Sequence, residues 1–331
     1  MPVDPHGVRG PTPNQARGPK WRRTSRGLFV PAGTTRSPEQ RILEASMVLP
    51  RHTGLTGWAA LRWCGATWFD GLDVSGAELE VQLLTADHSI RSQPGIRVSE
   101  ERRSFATLRV LDGVPCVDAV HATAFAMRYA ASAREAGVVF EMAAFSDAVS
   151  IAEIRALLAR MNGWTGVPRA REALAHLDEN SWSPQETRLR QVWLLDALLP
   201  KVLANRPVFD RYGNHLGTPD LFDEEAGLVV EYDGAHHLQR AQRLRDLDRE
   251  ARFRRAGLEY LAVASLRQDD RGSLIRLLRE ARSRARFAAP SSRAWTTALP
   301  RWWTPLFTVE QRRSLDAEQR ERWLRTRRAA A

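Results

Sequence analysis

The stretch 218–237, TPDLFDEEAGLVVEYDGAHH, constrains this chain more than any other. Two apolar runs, 218–222 and 228–232, flank an acidic break ending in Gly227, the pattern of two strands joined by a short hairpin loop. If Asp223 pairs with Leu228, counting back along both strands puts Phe222 opposite Val229 and Asp220 opposite Glu231. Opposed side chains on antiparallel strands have Cβ atoms about 4.5–5.5 Å apart, and like charges at that distance destabilise the pair. A proton or a cation must therefore compensate. Asp233 lies two residues beyond Glu231 and projects from the same face by the strand's period of two. Glu231 also interrupts a Leu-Val-Val run that reads as a buried strand, where an acid has to be paired, protonated or metal-bound. Three oxygen-donating acids on one patch suit Mg²⁺, which takes one or two carboxylates and keeps several waters. The competing reading is a surface hairpin with solvated acids.

Pro219-Asp220, then Glu231-Tyr232-Asp233-Gly234 with His237 three residues past the glycine, resembles the PD-(D/E)xK nuclease superfamily. Within it the pattern is most similar to the uncharacterised domains related to very-short-patch-repair endonucleases. The resemblance implies that Asp220 and Glu231 hold a divalent metal, Mg²⁺ or Mn²⁺. It also implies that a Glu on the first helix, here Glu186, completes that metal site. At the Lys position of the superfamily motif this chain has Asp233; the branch it resembles also lacks that Lys and carries a His just after the Gly. The general base stays unassigned, since the only lysines are Lys20 and Lys201.

Composition narrows the partner. Lys plus Arg number 49 against 39 Asp plus Glu, for a net charge of +10, which favours an anionic partner through counterion release and steering. With two lysines the other 47 are arginine, and arginine in place of lysine also matches a high-GC genome. No run approaches the roughly 18 apolar residues of a membrane span, and the Met-Pro-Val-Asp start lacks the apolar core of a signal peptide, so no membrane partner and a cytoplasmic location are expected. Cys64 and Cys116 belong to no CxxC or Cys/His cluster and read as free core thiols.

In chain order, residues 1–25 are rich in Pro, Gly and Arg and read as a disordered basic tail. Residues 26–170 read as a mixed α/β domain. Ser37-Pro38-Glu39-Gln40 and Thr56 open helices, strands are expected at 79–84, 96–99 and 108–111, and helices at 118–130, 134–145 and 150–161. The segment 26–31 with the Gly-Trp-Ala-Ala-Leu phrase at 57–61 is similar to the abortive-infection antitoxin proteins of type IV toxin–antitoxin systems, in which an N-terminal winged helix binds DNA; here at most its last strand, 26–31, survives, and a protein partner is expected for this half.

Residues 171–287 are expected to form the nuclease-like domain. Ser183 opens a helix to about 199; a strand 202–210, the central hairpin, a helix 238–256, a strand 258–264 and a helix 270–286 follow. This α-β-β-β-α-β-α order reproduces the αβββαβ core of the restriction-endonuclease-like fold the resemblance implies. The fold class expected is therefore α/β (α+β) throughout. Two readings stand for Glu186: the fourth residue of a Ser-x-x-Glu capping box, or an inward carboxylate in line with Leu189, Trp193 and Ala197. His237 is the candidate proton carrier, with a structural His as the alternative. Arg249 is the candidate phosphate contact, against a salt-bridged solvated face. Residues 288–331, with Trp295, Trp302 and Trp303, read as a Trp/Arg-rich tail ending in a helix.

Two functions are expected from these readings. The first is a metal-dependent endonuclease acting on nucleic acid, DNA in preference to RNA, through Asp220, Glu231, Glu186, Asp233, His237 and Arg249. The alternative is a non-catalytic nucleic-acid-binding antitoxin or regulator.

Overall fold

Ser37, Asp118, Ser132 and Ser183 each accept the backbone N–H three residues on, and each begins a helix. Such a side chain satisfies one of the donors a helix start leaves orphaned. In the computed structural model, residues 51, 86–89, 100, 102–106, 234–239, 265, 267–269 and 331, and the side chains of 240–246 and 325–330, lie outside the description. The fold is mixed α/β, as the alternation of helical and strand periods implies. Among the described residues no helix is long and apolar enough to cross a membrane.

The chain divides into two units, 1–130 with 153–168, and 131–152 with 169–331. In the first, β1 (Trp21–Ser25) pairs antiparallel with β2 (Leu28–Pro31). The opening segment expected to be disordered is thus ordered: the Asp4 carboxylate gathers the N–H groups of His6, Val8 and Arg9, and Phe29 N–H donates to Met1 O. Its Pro/Gly/Arg composition hid a strand whose partner is β2. After α1 (Pro38–Ser46) come β3 (Gly54–Leu55), α2 (Gly57–Trp63), β4 (Val81–Leu84), β5 (Ile96–Ser99), β6 (Leu108–Leu111), β7 (Val114–Val117) and α3 (Ala119–Tyr129). They build a five-stranded sheet of order β5-β4-β3-β7-β6. Sequence periodicity missed β3, which is two residues long, and β7, where Pro115 masks the strand signal. Cys116 is buried, but Cys64 is exposed rather than in the core; both are free.

The chain passes into the second unit at 168/169, close to the break expected near 170, but it also crosses at 130/131 and 152/153. The helix α4 (Ala133–Phe145) belongs to the second unit and α5 (Ile151–Arg160) to the first. After α6 (Val167–Ala173) comes α7 (Pro184–Gln191), and α4 is held to it by charge: the buried Glu141 pairs with Arg190 and accepts from Thr187 Oγ1 at 2.8 Å. A buried ion pair of this kind has no signature in the sequence period.

Past a π turn at Val192–Asp196, the expected strand 202–210 is two strands in different sheets, β8 (Leu203–Ala204) and β9 (Val208–Asp210). Asn205 between them has φ 45° and Pro207 lacks a donor, so the ladder cannot continue. Then follow β10 (His215–Gly217), β11 (Leu221–Asp223), β12 (Leu228–Tyr232), α8 (Arg240–Arg255), β13 (Glu259–Val263), α9 (Arg271–Arg284), β14 (Trp295–Thr296), α10 (Val309–Arg313) and α11 (Ala317–Ala330). One sheet has order β13-β12-β11-β8 with β12 and β13 parallel, the other β10-β9-β14. Alternation splits the core between the faces of the first sheet. Leu221 and Val230 pack with Leu189, Trp193 and Leu278, while Phe222 and Val229 pack with Phe253 and Trp295. The final segment packs on this unit through Arg312, which is fully buried: its guanidinium reaches Asp147 Oδ1 at 2.6 Å and the carbonyls of Ala144 and Glu179 at 2.8 and 3.0 Å.

Candidate functional site

The hairpin has the register counted from the sequence: Asp223 faces Leu228, Phe222 faces Val229 and Leu221 faces Val230. One step further puts Asp220 beside Glu231, and Asp220 Oδ2 accepts the Tyr232 N–H at 2.7 Å. Glu231 is 5% exposed. Its Oε2 lies 3.2 Å from Nη2 of Arg249. Local geometry explains the meeting. Phe253 on α8 packs against Val229; one helical turn before it stands Arg249, and two residues beyond Val229 on the same strand face stands Glu231. The Arg249 side chain is therefore turned to the sheet and not held in a wholly solvated face.

Glu186 makes half of the capping box and takes the inward course with its carboxylate. Its N–H is capped by Ser183 Oγ at 3.2 Å, while its carboxylate turns inward and is 8% exposed. Oε2 accepts the Trp182 N–H at 2.8 Å and Asn205 Nδ2 at 2.6 Å. Asn205 ties this carboxylate to the hairpin, because its own N–H donates to Asp220 O at 3.1 Å. Sequence reasoning passed over Asn205; its place two residues before Pro207 was the available signal.

The electrostatics follow from burial. Loss of solvent pushes the Glu186 carboxyl up to about 8, and the nearby Asp220 charge adds to it, against the donors from Asn205 and Trp182. Asp220 is pushed up to about 6 by burial, opposed by the Tyr232 N–H and the positive Arg249. Burial also raises the Tyr260 phenol, with the Glu231 charge next in effect. Two carboxylates in mutual repulsion retain a proton between them at neutral pH or give it up to a cation.

The structure brings together Glu186, Asp220, Glu231 and Arg249. Asp233 does not join them: it is exposed at the end of β12, where its N–H still donates to Val263 O at 2.9 Å. His237 lies outside the described residues. Among the described residues no group of three or more His, Cys, Asp or Glu is placed to hold a metal ion. No family model, curated protein or solved structure matches the chain. The geometry therefore carries the functional argument by itself.

Proposed function

We propose that the second unit is a metal-dependent endonuclease that hydrolyses phosphodiester bonds in nucleic acid, DNA before RNA. The observation that carries this reading is the pair of sequestered carboxylates Glu186 and Asp220, each raised by burial and Glu186 further by the Asp220 charge, on a hairpin whose register runs on toward Glu231. Against these carboxylates stands Arg249, paired with Glu231 and acting on Asp220. Carboxylate oxygens are the hard donors Mg²⁺ or Mn²⁺ take, one or two from the protein with waters beside them, so a site of Asp220 and Glu231 needs no third carboxylate in its ligand set. Asp220 and Glu231 would hold it, with Glu186 beside them. A bound divalent ion supplies an acidified water and offsets charge developing on the phosphate. Arg249, always charged and able to make paired hydrogen bonds, is the side chain on this wall suited to a phosphate oxygen. Asp220 and Glu186, once deprotonated, are the groups that can take up a proton near neutral pH. His237 keeps the proton-carrier role its reference pKa near about 6.5 suggests.

One contact favours the second reading, a non-catalytic nucleic-acid-binding antitoxin or regulator. Arg249 already neutralises Glu231 without a metal. The two readings separate in one assay. Wild type and Asp220→Asn are incubated with plasmid, single-stranded DNA and RNA in Mg²⁺ or Mn²⁺, and binding is followed in parallel in a chelator. Cleavage that Asp220→Asn abolishes supports the endonuclease; binding without cleavage supports the regulator.

A further inference from the structure

Next to the carboxylates the second unit carries a cleft of about 270 Å³ whose walls include Trp182, Trp303, Trp323, Arg249 and Arg252. Trp182 and Trp323 meet edge to face at 5.8 Å and 81°. Trp303 is braced from behind by Phe209 at 5.1 Å and by the ring of His215 at 5.0 Å. Phe307, also on the wall, carries the Arg206 guanidinium over its ring, 3.7 Å from the centroid. The ring set is thus fixed by packing before any ligand arrives. Burial, followed by the positive Arg252, holds the His215 imidazole below its usual range, so at neutral pH it contributes an uncharged ring.

The cleft and the acids share their walls. Trp182 donates its backbone N–H to Glu186, Asn205 donates its side chain to Glu186, and Arg249 pairs with Glu231; all three of these residues also line the cleft. Pockets for drug-sized ligands run about 300–1,000 Å³, so this one holds a single ring system and little more. Aromatic rings with two arginines on the same walls match a flat heterocycle joined to an anion. An isolated phosphate would leave the rings unused, and an apolar ligand would leave the arginines unused.

We infer that the cleft is a subsite for one unpaired nucleotide of a nucleic-acid strand, its base among Trp182, Trp303 and Trp323 and its phosphate against Arg249 and Arg252. The inference rests on the reading of this unit as one that acts on nucleic acid. Paired bases cannot enter a recess of this size, so the subsite takes a single strand, a frayed end or an extruded nucleotide. Residues 288–331 complete the substrate surface, since Trp303 and Trp323 both come from this segment.

The test measures binding of the full-length chain, in a chelator, to a labelled oligothymidylate, an oligouridylate of equal length, a hairpin duplex and a mononucleotide. Single strands should bind more tightly than the duplex. Base stacking is worth roughly 1–3 kcal/mol per base, so Trp303→Ala and Trp323→Ala should each weaken single-strand binding roughly 5- to 100-fold. Trp303→Phe should retain most of the affinity, and Tyr212→Ala, at an exposed ring outside the cleft, should leave it unchanged. Preference for the thymidylate or the uridylate strand assigns DNA or RNA as the source. Equal binding of duplex and single strand overturns the inference, as does a mononucleotide that binds as well as the strand. Wild-type affinity in Trp323→Ala and Trp303→Ala overturns it too; should Trp303→Ala melt early, Trp323→Ala decides. Cleavage in Mg²⁺ is scored separately. Cleavage without dependence on these tryptophans removes only the subsite, and tryptophan-dependent binding without cleavage removes only the endonuclease.

Discussion

Arg249 and Glu231 meet at 3.2 Å between α8 and β12, and this contact places a helix cation over the strand acid that faces Asp220. Glu231 is sequestered, while Arg249 keeps 30% of its side chain in solvent. Removing the cation leaves a buried charge. Arg249→Met should cost about 2 kcal/mol of stability, less than the roughly 3–5 of a fully buried pair because solvent screens the exposed partner. Millimolar Mg²⁺ should restore part of the loss, and the double variant Arg249→Met with Glu231→Gln should recover most of it. Urea midpoints with and without Mg²⁺ check both.

Stability should fall as pH rises through the Glu186 window. The folded state holds this proton up to about pH 8, whereas the unfolded chain releases it near the ordinary glutamate value of 4.5. Between those values the native state binds more protons, so unfolding becomes easier with rising pH. At about 1.4 kcal/mol per unit, the loss from pH 5 to 8 is of the order of a few kcal/mol. Glu186→Gln should flatten this dependence, as should Mg²⁺ if the metal replaces the proton. Equilibrium unfolding at pH 5 and pH 8 decides; equal slopes in wild type and variant would show that another group titrates.

Divalent-metal affinity should rise with pH over the same interval, because Asp220 near 6 and Glu186 near 8 must lose protons to become ligands. Calorimetric titration in buffers of different ionisation enthalpy should show proton release on binding. Asp220→Asn should abolish the heat, and an unchanged proton count in Glu186→Gln would remove Glu186 from the coupling.

Asn205→Ala should destabilise the second unit by about 1–3 kcal/mol, the cost of leaving a buried acceptor unsatisfied. The side chain donates both to Glu186 and to Asn180 O, at 2.6 and 2.8 Å. Asn205→Gly keeps the φ of 45° without strain but loses the same donors, so any difference between the two variants reports the backbone term. Chemical denaturation of both measures it.

Arg312→Met should release the final segment. Asp147 and three carbonyls lose a fully buried partner, and a cost of roughly 3–5 kcal/mol is expected. Limited proteolysis should then cut within 306–323 well before wild type, and the tryptophan-dependent strand binding should fall with it.

Hairpin register was readable in the sequence because it depends only on loop length and a period of two, both local; so were the helix starts at Ser37, Asp118 and Ser183, where one side chain meets one backbone N–H three residues away. Asp220 and Glu231 were found for the same reason. Tertiary packing alone decided the rest. It buried Glu186 beside Asp220, aimed Arg249 at the sheet, broke the strand at Asn205, drew α4 into the second unit and left Asp233 in solvent. It also gathered Trp182, Trp303 and Trp323 around one recess. The pKa of a carboxyl and the walls of a cleft depend on neighbours brought from distant parts of the chain, and neither propensity nor periodicity carries that information.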